Sequence, residues 1–111
     1  MSEYYPDKWL MVKLTNKAKE SHYRIFACWY GGFAGSDSWQ LNSGVTKITE
    51  DEHGYHFEGS SGSVYHCNRN TYGTSGYGHG VLTNMIEKSK DEILIEIIDE
   101  DTNFMELSYE Y

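Results

Sequence analysis

Short apolar runs separated by polar, glycine-containing segments make up most of the chain, and most of the runs have the length and composition of β-strands. Residues 9–14 (Trp-Leu-Met-Val-Lys-Leu) predict a first strand, after a start that holds the only proline, Pro6. Residues 15–21 are polar and read as a loop. Residues 23–30 (Tyr-Arg-Ile-Phe-Ala-Cys-Trp-Tyr) are apolar at almost every position, the pattern of a strand covered on both faces, and Gly31-Gly32 ends it. Residues 39–41 and 44–49 predict two more strands, followed by the acidic turn Glu50-Asp51-Glu52. Residues 54–58 and 63–67, joined by Gly59-Ser60-Ser61-Gly62, predict a hairpin.

Beyond residue 67 the pattern changes. Residues 68–78 are a polar loop rich in Gly, Tyr, Asn and Thr, and residues 81–90 place Val81, Leu82, Met85 and Ile86 on one side of a short helix. Alternation returns near the end. Ile93, Ile95 and Ile97 share one face of a strand over 92–99, while Met105, Leu107, Tyr109 and Tyr111 share one face of a strand over 103–111. Paired through the turn Glu100-Asp101-Thr102, these two predict a terminal hairpin, apolar inside, with Glu96, Glu106, Ser108 and Glu110 outside. About seven short strands, turn signals every 8–12 residues and one short helix near 81–90 predict a mainly β fold, as a compact antiparallel sheet, sandwich or partly open barrel. No repeat or linker divides the chain, so residues 1–111 read as a single domain.

Composition sharpens this picture. Ten Tyr, four Phe and three Trp supply much of the apolar area in large aromatic pieces, enough for a folded core. No apolar run approaches the ~20 residues of a membrane span, and the first residues lack the pattern of a secretion signal, which sets the expectation of a cytoplasmic protein. Cys28 and Cys67 each lie in an apolar run and read as buried free thiols. The net charge of −8 is uneven: residues 87–111 hold nine Asp or Glu against two Lys or Arg, while the preceding 86 residues hold eight against seven. Such a field repels phosphate backbones, so direct nucleic-acid binding is not expected.

Candidate chemistry is sparse. The segment 35–44 (Gly-Ser-Asp-Ser-Trp-Gln-Leu-Asn-Ser-Gly) gathers hydroxyl, carboxylate, amide and indole groups, although these are also the residues that turns require. Neither glycine-rich segment, 59–63 or 72–80, has the spacing of a phosphate loop. The tyrosines of the second suit an adaptable binding loop. His53 and His56 are the closest histidine pair, but strand positions three apart point to opposite faces, as do His66 and Cys67, so no metal site and no cofactor are expected. No nucleophile motif appears.

At Trp29-Tyr-Gly-Gly-Phe, at residues 35–44 and at Ser61-Gly-Ser-Val-Tyr-His-Cys67, the sequence resembles small accessory proteins of tailed bacteriophages. The resemblance transfers no functional residue. It implies a context, the cytoplasm of an infected host, in which short proteins bind host factors or defence systems.

The resulting expectation is a non-enzymatic binding protein, a phage-encoded inhibitor of a host or defence protein. Trp29, Tyr30, Trp39, Tyr72 and Tyr77 are its candidate anchors, with Glu96, Glu106 and Glu110 steering toward a basic surface. An alternative is a binder that sequesters a small nucleotide-like ligand between Trp39 and Tyr65, read by Asp37, Asn42, Ser61 and Ser63. A small enzyme with an unrecognised site is a third. A free strand edge would also invite pairing with a second copy.

Overall fold

The computed structural model describes residues 2–31 and 35–109. Among them are eight strands and one α-helix: β1 (Glu3–Tyr4), β2 (Lys8–Asn16), β3 (Ser21–Trp29), β4 (Ser38–Leu41), β5 (Val45–Glu50), β6 (Gly54–Gly59), β7 (Val64–Asn68), α1 (Gly76–Ser89) and β8 (Ile93–Ile97). One sheet runs β1-β7-β6-β5 and the other β4-β3-β2-β8, antiparallel throughout except for the parallel β1–β7 pair. The mainly β architecture expected from the apolar pattern is present, as two stacked sheets with no closed barrel.

The continuous apolar runs of β2 and β3 follow from a third layer. Trp9 and Met11 of β2, with Ile25 and Ala27 of β3, face the β1-β7-β6-β5 sheet and meet Val45, Phe57, Tyr65 and Cys67. The alternate residues, Leu10, Val12, Leu14, Phe26 and Cys28, face the other way and meet Leu82 of α1 and Ile95 of β8. Each strand therefore buries both of its faces, and each fully buried large side chain contributes about 1.5–3 kcal/mol. The aromatic groups concentrate around Trp9, whose ring lies 4.8 to 6.0 Å from those of Tyr55, Phe57, Tyr72 and Phe104.

Helix α1 starts five residues before the predicted position. Ser75 caps it, its Oγ accepting from Gly78 N at 3.0 Å, and three glycines occupy the first turns. Their low helix propensity is what made this stretch read as loop.

The predicted terminal hairpin is corrected. β8 forms, but its partner is β2, with Ile95 opposite Leu14 and Ile97 opposite Val12. The described residues after β8 form no strand; Phe104–Glu106 is a 3-10 turn, capped by Asn103 Oδ1 accepting from Met105 N at 3.2 Å. Packing decides the outcome. Phe104 leaves the alternation to plug the inter-sheet core against Trp9 and Tyr55, and Tyr109 holds that plug by donating from its hydroxyl to Phe104 O at 2.7 Å. Met105 stays exposed, so Met105, Leu107 and Tyr109 do not form a shared inner face with the isoleucines. Glu110 and Tyr111 lie outside the described residues.

Candidate functional site

Two histidines meet across the β6–β7 hairpin. His56 and His66 are directly opposed in the ladder, so their side chains leave the same face of the sheet, the one turned away from the core. Their Nδ1 atoms approach to 2.6 Å. The other nitrogen of each ring is held by a carboxylate: His56 Nε2 lies 2.7 Å from Asp51 Oδ2, and His66 Nε2 lies 3.0 Å from Glu3 Oε1. Tyr5 stacks on His66 with ring centroids 4.6 Å apart.

Local sequence places each group. Asp51 opens the β5–β6 turn, where its Oδ1 accepts from His53 N and Gly54 N, and Gly54 admits no side chain because a Cβ would run into the Cys67 carbonyl. The hydrogen bond from His56, with these two backbone donors, holds the Asp51 carboxyl down at about 2, so it accepts and His56 Nε2 must donate. Likewise a carboxylate oxygen of Glu3 accepts from His66 Nε2. Both ring protons are thereby committed outward, and two Nδ1 lone pairs face one another. Nδ1 atoms this close are joined through whatever hydrogen or cation lies between them.

The pair lies on the wall of a cleft of about 330 Å³ that Tyr5, Pro6, Asp51, His53, Tyr55 and Asn68 also line. The His56 and His66 side chains are 29% and 21% exposed, so solutes reach them. Cys67 also borders the cleft, but burial pushes its thiol well above the ordinary range, and both cysteines are free and buried. Among the described residues, no three His, Cys, Asp or Glu side chains come together as a metal-holding group.

A second feature lies on the other sheet. Among the described residues β8 is an edge strand, and it leaves Leu94 52% and Ile97 49% exposed. Exposed carboxylates crowd it: Asp91 and Glu92 before it, Glu96 within it, and Asp99, Glu100 and Asp101 after it. Lys13 stands opposite Glu96, and Lys17 pairs with Glu92 at 3.8 Å.

The residues singled out from sequence scatter over the molecule. Trp29 is half-buried, with Nε1 donating to Tyr5 O, whereas Tyr30, just past β3, and Tyr77, on α1, are exposed. Tyr72 is a packing residue whose hydroxyl donates to Ile98 O and accepts from Met11 N. Trp39 stacks on Phe26 on the helix side of its sheet, while Tyr65, 1% exposed, points between the sheets, so they do not wall a common pocket. Nor do the polar readers converge. Asp37 ties the chain end of its loop by accepting from Gly31 N, Asn42 is buried, Ser61 bonds Ser43, and Ser63 closes the hairpin through its carbonyl. Glu96 and Glu106 are both exposed, but on β8 and on the 3-10 turn, and Glu110 lies outside the described residues.

Sequence reasoning weighed His53 with His56 and His66 with Cys67, and missed the pairing of His56 with His66 and the parts of Glu3, Asp51 and Tyr5. The signal was available in the hairpin: closing the turn with Gly59 N donating to Ser63 O sets a register in which 56 faces 66. Comparison with protein families, with curated proteins and with solved structures gave no match, so a functional reading stands on this geometry.

Proposed function

We propose that the chain is a non-enzymatic binding module that captures an extended, basic-flanked segment of a partner protein along the free edge of β8. The observation that carries this reading is the combination on one strand of an unpaired edge, two half-exposed aliphatic side chains and a surround of carboxylates. An added strand takes main-chain hydrogen bonds from the edge and sets side chains of one face against Leu94 and of the other against Ile97. Lys or Arg at the ends of that strand meets Asp91, Glu92, Asp99, Glu100 and Asp101. In the context implied by the resemblance, the partner is a host or defence protein and the consequence of capture is inhibition.

Binding is tested by fluorescence anisotropy with a synthetic peptide of alternating Val and Thr flanked by lysines, against the same core flanked by glutamates. The lysine peptide binds and the glutamate peptide does not, and raising salt weakens the first. Leu94→Lys with Ile97→Lys, which puts positive charge on both faces of the edge, costs about 2 kcal/mol, a loss of some thirtyfold. Equal affinity of both peptides, or an unaffected double variant, would remove the reading.

A further inference from the structure

The His56–His66 pair plays no part in capture at β8, and its geometry assigns it a different task. We propose that the two Nδ1 atoms form an open two-histidine site for a divalent late first-row transition metal ion, represented by zinc. Metal-ligating histidines characteristically donate their second ring N–H to a carboxylate, which fixes the tautomer and aims the free lone pair. Here both rings are held that way, by Asp51 and by Glu3, and both lone pairs aim at one point.

The distances require little adjustment. Zinc at about 2.0–2.1 Å from each nitrogen, with a tetrahedral angle between them, needs about 3.3 Å from nitrogen to nitrogen. The present separation is 2.6 Å, so the rings part by about 0.7 Å through small side-chain rotations. Charge favours a cation here: two carboxylates flank the pair, so a dication balances them. Any proton held between the two Nδ1 atoms leaves to solvent as the ion enters. With only two protein donors, the remaining positions belong to water or to a ligand in the adjoining cleft. Imidazole donors select zinc, copper or nickel over magnesium and calcium, which prefer oxygen.

Isothermal titration of the full chain with zinc chloride tests this, with magnesium chloride as the second titrant and thermal unfolding of each metal-free variant as a check on folding. One zinc binds and magnesium does not. His56→Gln and His66→Gln each abolish binding, while His53→Ala, on the same cleft but with its ring beside Glu52, leaves it unchanged. Asp51→Asn keeps an oxygen for the turn but takes the acceptor from His56 Nε2, and weakens zinc binding by about 10- to 100-fold. Imidazole nitrogen NMR places the zinc-induced shifts on Nδ1 of both rings. Zinc affinity that survives both His→Gln variants, equal loss in His53→Ala, or magnesium bound as tightly as zinc overturns the proposal.

Discussion

Gly78 of α1 lies directly against the Sγ of Cys28 on β3, in the space a Cβ would occupy, with Ser75 Oγ only 3.1 Å from that same position. The helix can rest on the sheet at this depth because residue 78 has no side chain. Its partner in the contact is a small, soft atom.

Gly78→Ala is expected to lift the first turn of α1 and to destabilise the fold by about 1–3 kcal/mol, read from the urea midpoint. Gly80→Ala is the control, since nothing lies within 4 Å of its Cβ, and it is expected to stabilise by about 0.5–1 kcal/mol through helix propensity. Adding Cys28→Ala to Gly78→Ala recovers part of the loss if the thiol is the obstacle. Strict additivity of the two substitutions would show that it is not.

Asn42 supports a second prediction. It is 3% exposed, and its Oδ1 accepts from Ile25 N at 2.8 Å and from Gly44 N at 3.3 Å, joining β3 to the crossover between the sheets. Asn42→Ala leaves the Ile25 N–H buried with no acceptor, and the expected cost is about 1–3 kcal/mol in chemical denaturation. Its Nδ2 has no hydrogen-bond partner among the described residues, so a variant of unchanged stability would mean that relieving this orphan offsets the loss entirely.

How far the sequence could be read depended on the range of the interactions involved. The run at β3 showed two-sided burial because every residue carried the signal itself, Ile25 and Ala27 for one layer, Phe26 and Cys28 for the other. The end of the chain misled because alternation specifies which residues share a face but not which strand lies alongside. Leu14 and Val12 competed successfully for β8, and the aromatic cluster around Trp9 drew in Phe104. The histidine site was hidden for a related reason: Glu3 and His66 are 63 residues apart and meet only because β1 joins β7 in parallel. Tyr72, expected to anchor a partner, instead anchors the chain to itself.

Three tyrosines, Tyr65 buried and Tyr72 and Tyr109 partly buried, make the fold sensitive to alkali. Burial, reinforced by Tyr4 and Cys67, raises Tyr65 to about 12; burial, opposed by the Met11 hydrogen bond and helped by Asp99 and Glu100, raises Tyr72 to about 12. Tyr109 is raised in the same sense by burial and by Tyr23 and Tyr55. The folded chain therefore keeps phenolic protons that the unfolded chain releases near 10, and stability is complete below pH 10 and falls as pH rises toward 12. Each tyrosine adds a slope of at most about 1.4 kcal/mol per pH unit. Tyr72→Phe lowers stability at neutral pH, by leaving Ile98 O and Met11 N without their partner, yet makes the alkaline decline shallower. An equally steep decline in Tyr72→Phe would show that Tyr72 does not titrate with unfolding.

The carboxylates around β8 also bear on self-association. An unguarded edge with Leu94 and Ile97 exposed is a template for pairing with a second copy, and an antiparallel β8–β8 ladder would bring Glu92 and Glu96 of one chain against the same acidic strand of the other. Like charges placed opposite one another cost about 0.2–1 kcal/mol per pair, so the wild-type chain is expected to sediment as a monomer at low salt. Glu92→Gln with Glu96→Gln removes that repulsion while leaving the apolar contacts, and is expected to shift the chain toward dimer. Glu106→Gln lies on the 3-10 turn instead and is expected to change nothing. Sedimentation velocity separates the cases: dimerisation of the Glu106 variant, or a double variant that stays monomeric at high concentration, would mean that the acidic residues are not what keeps the β8 edge free for a basic partner.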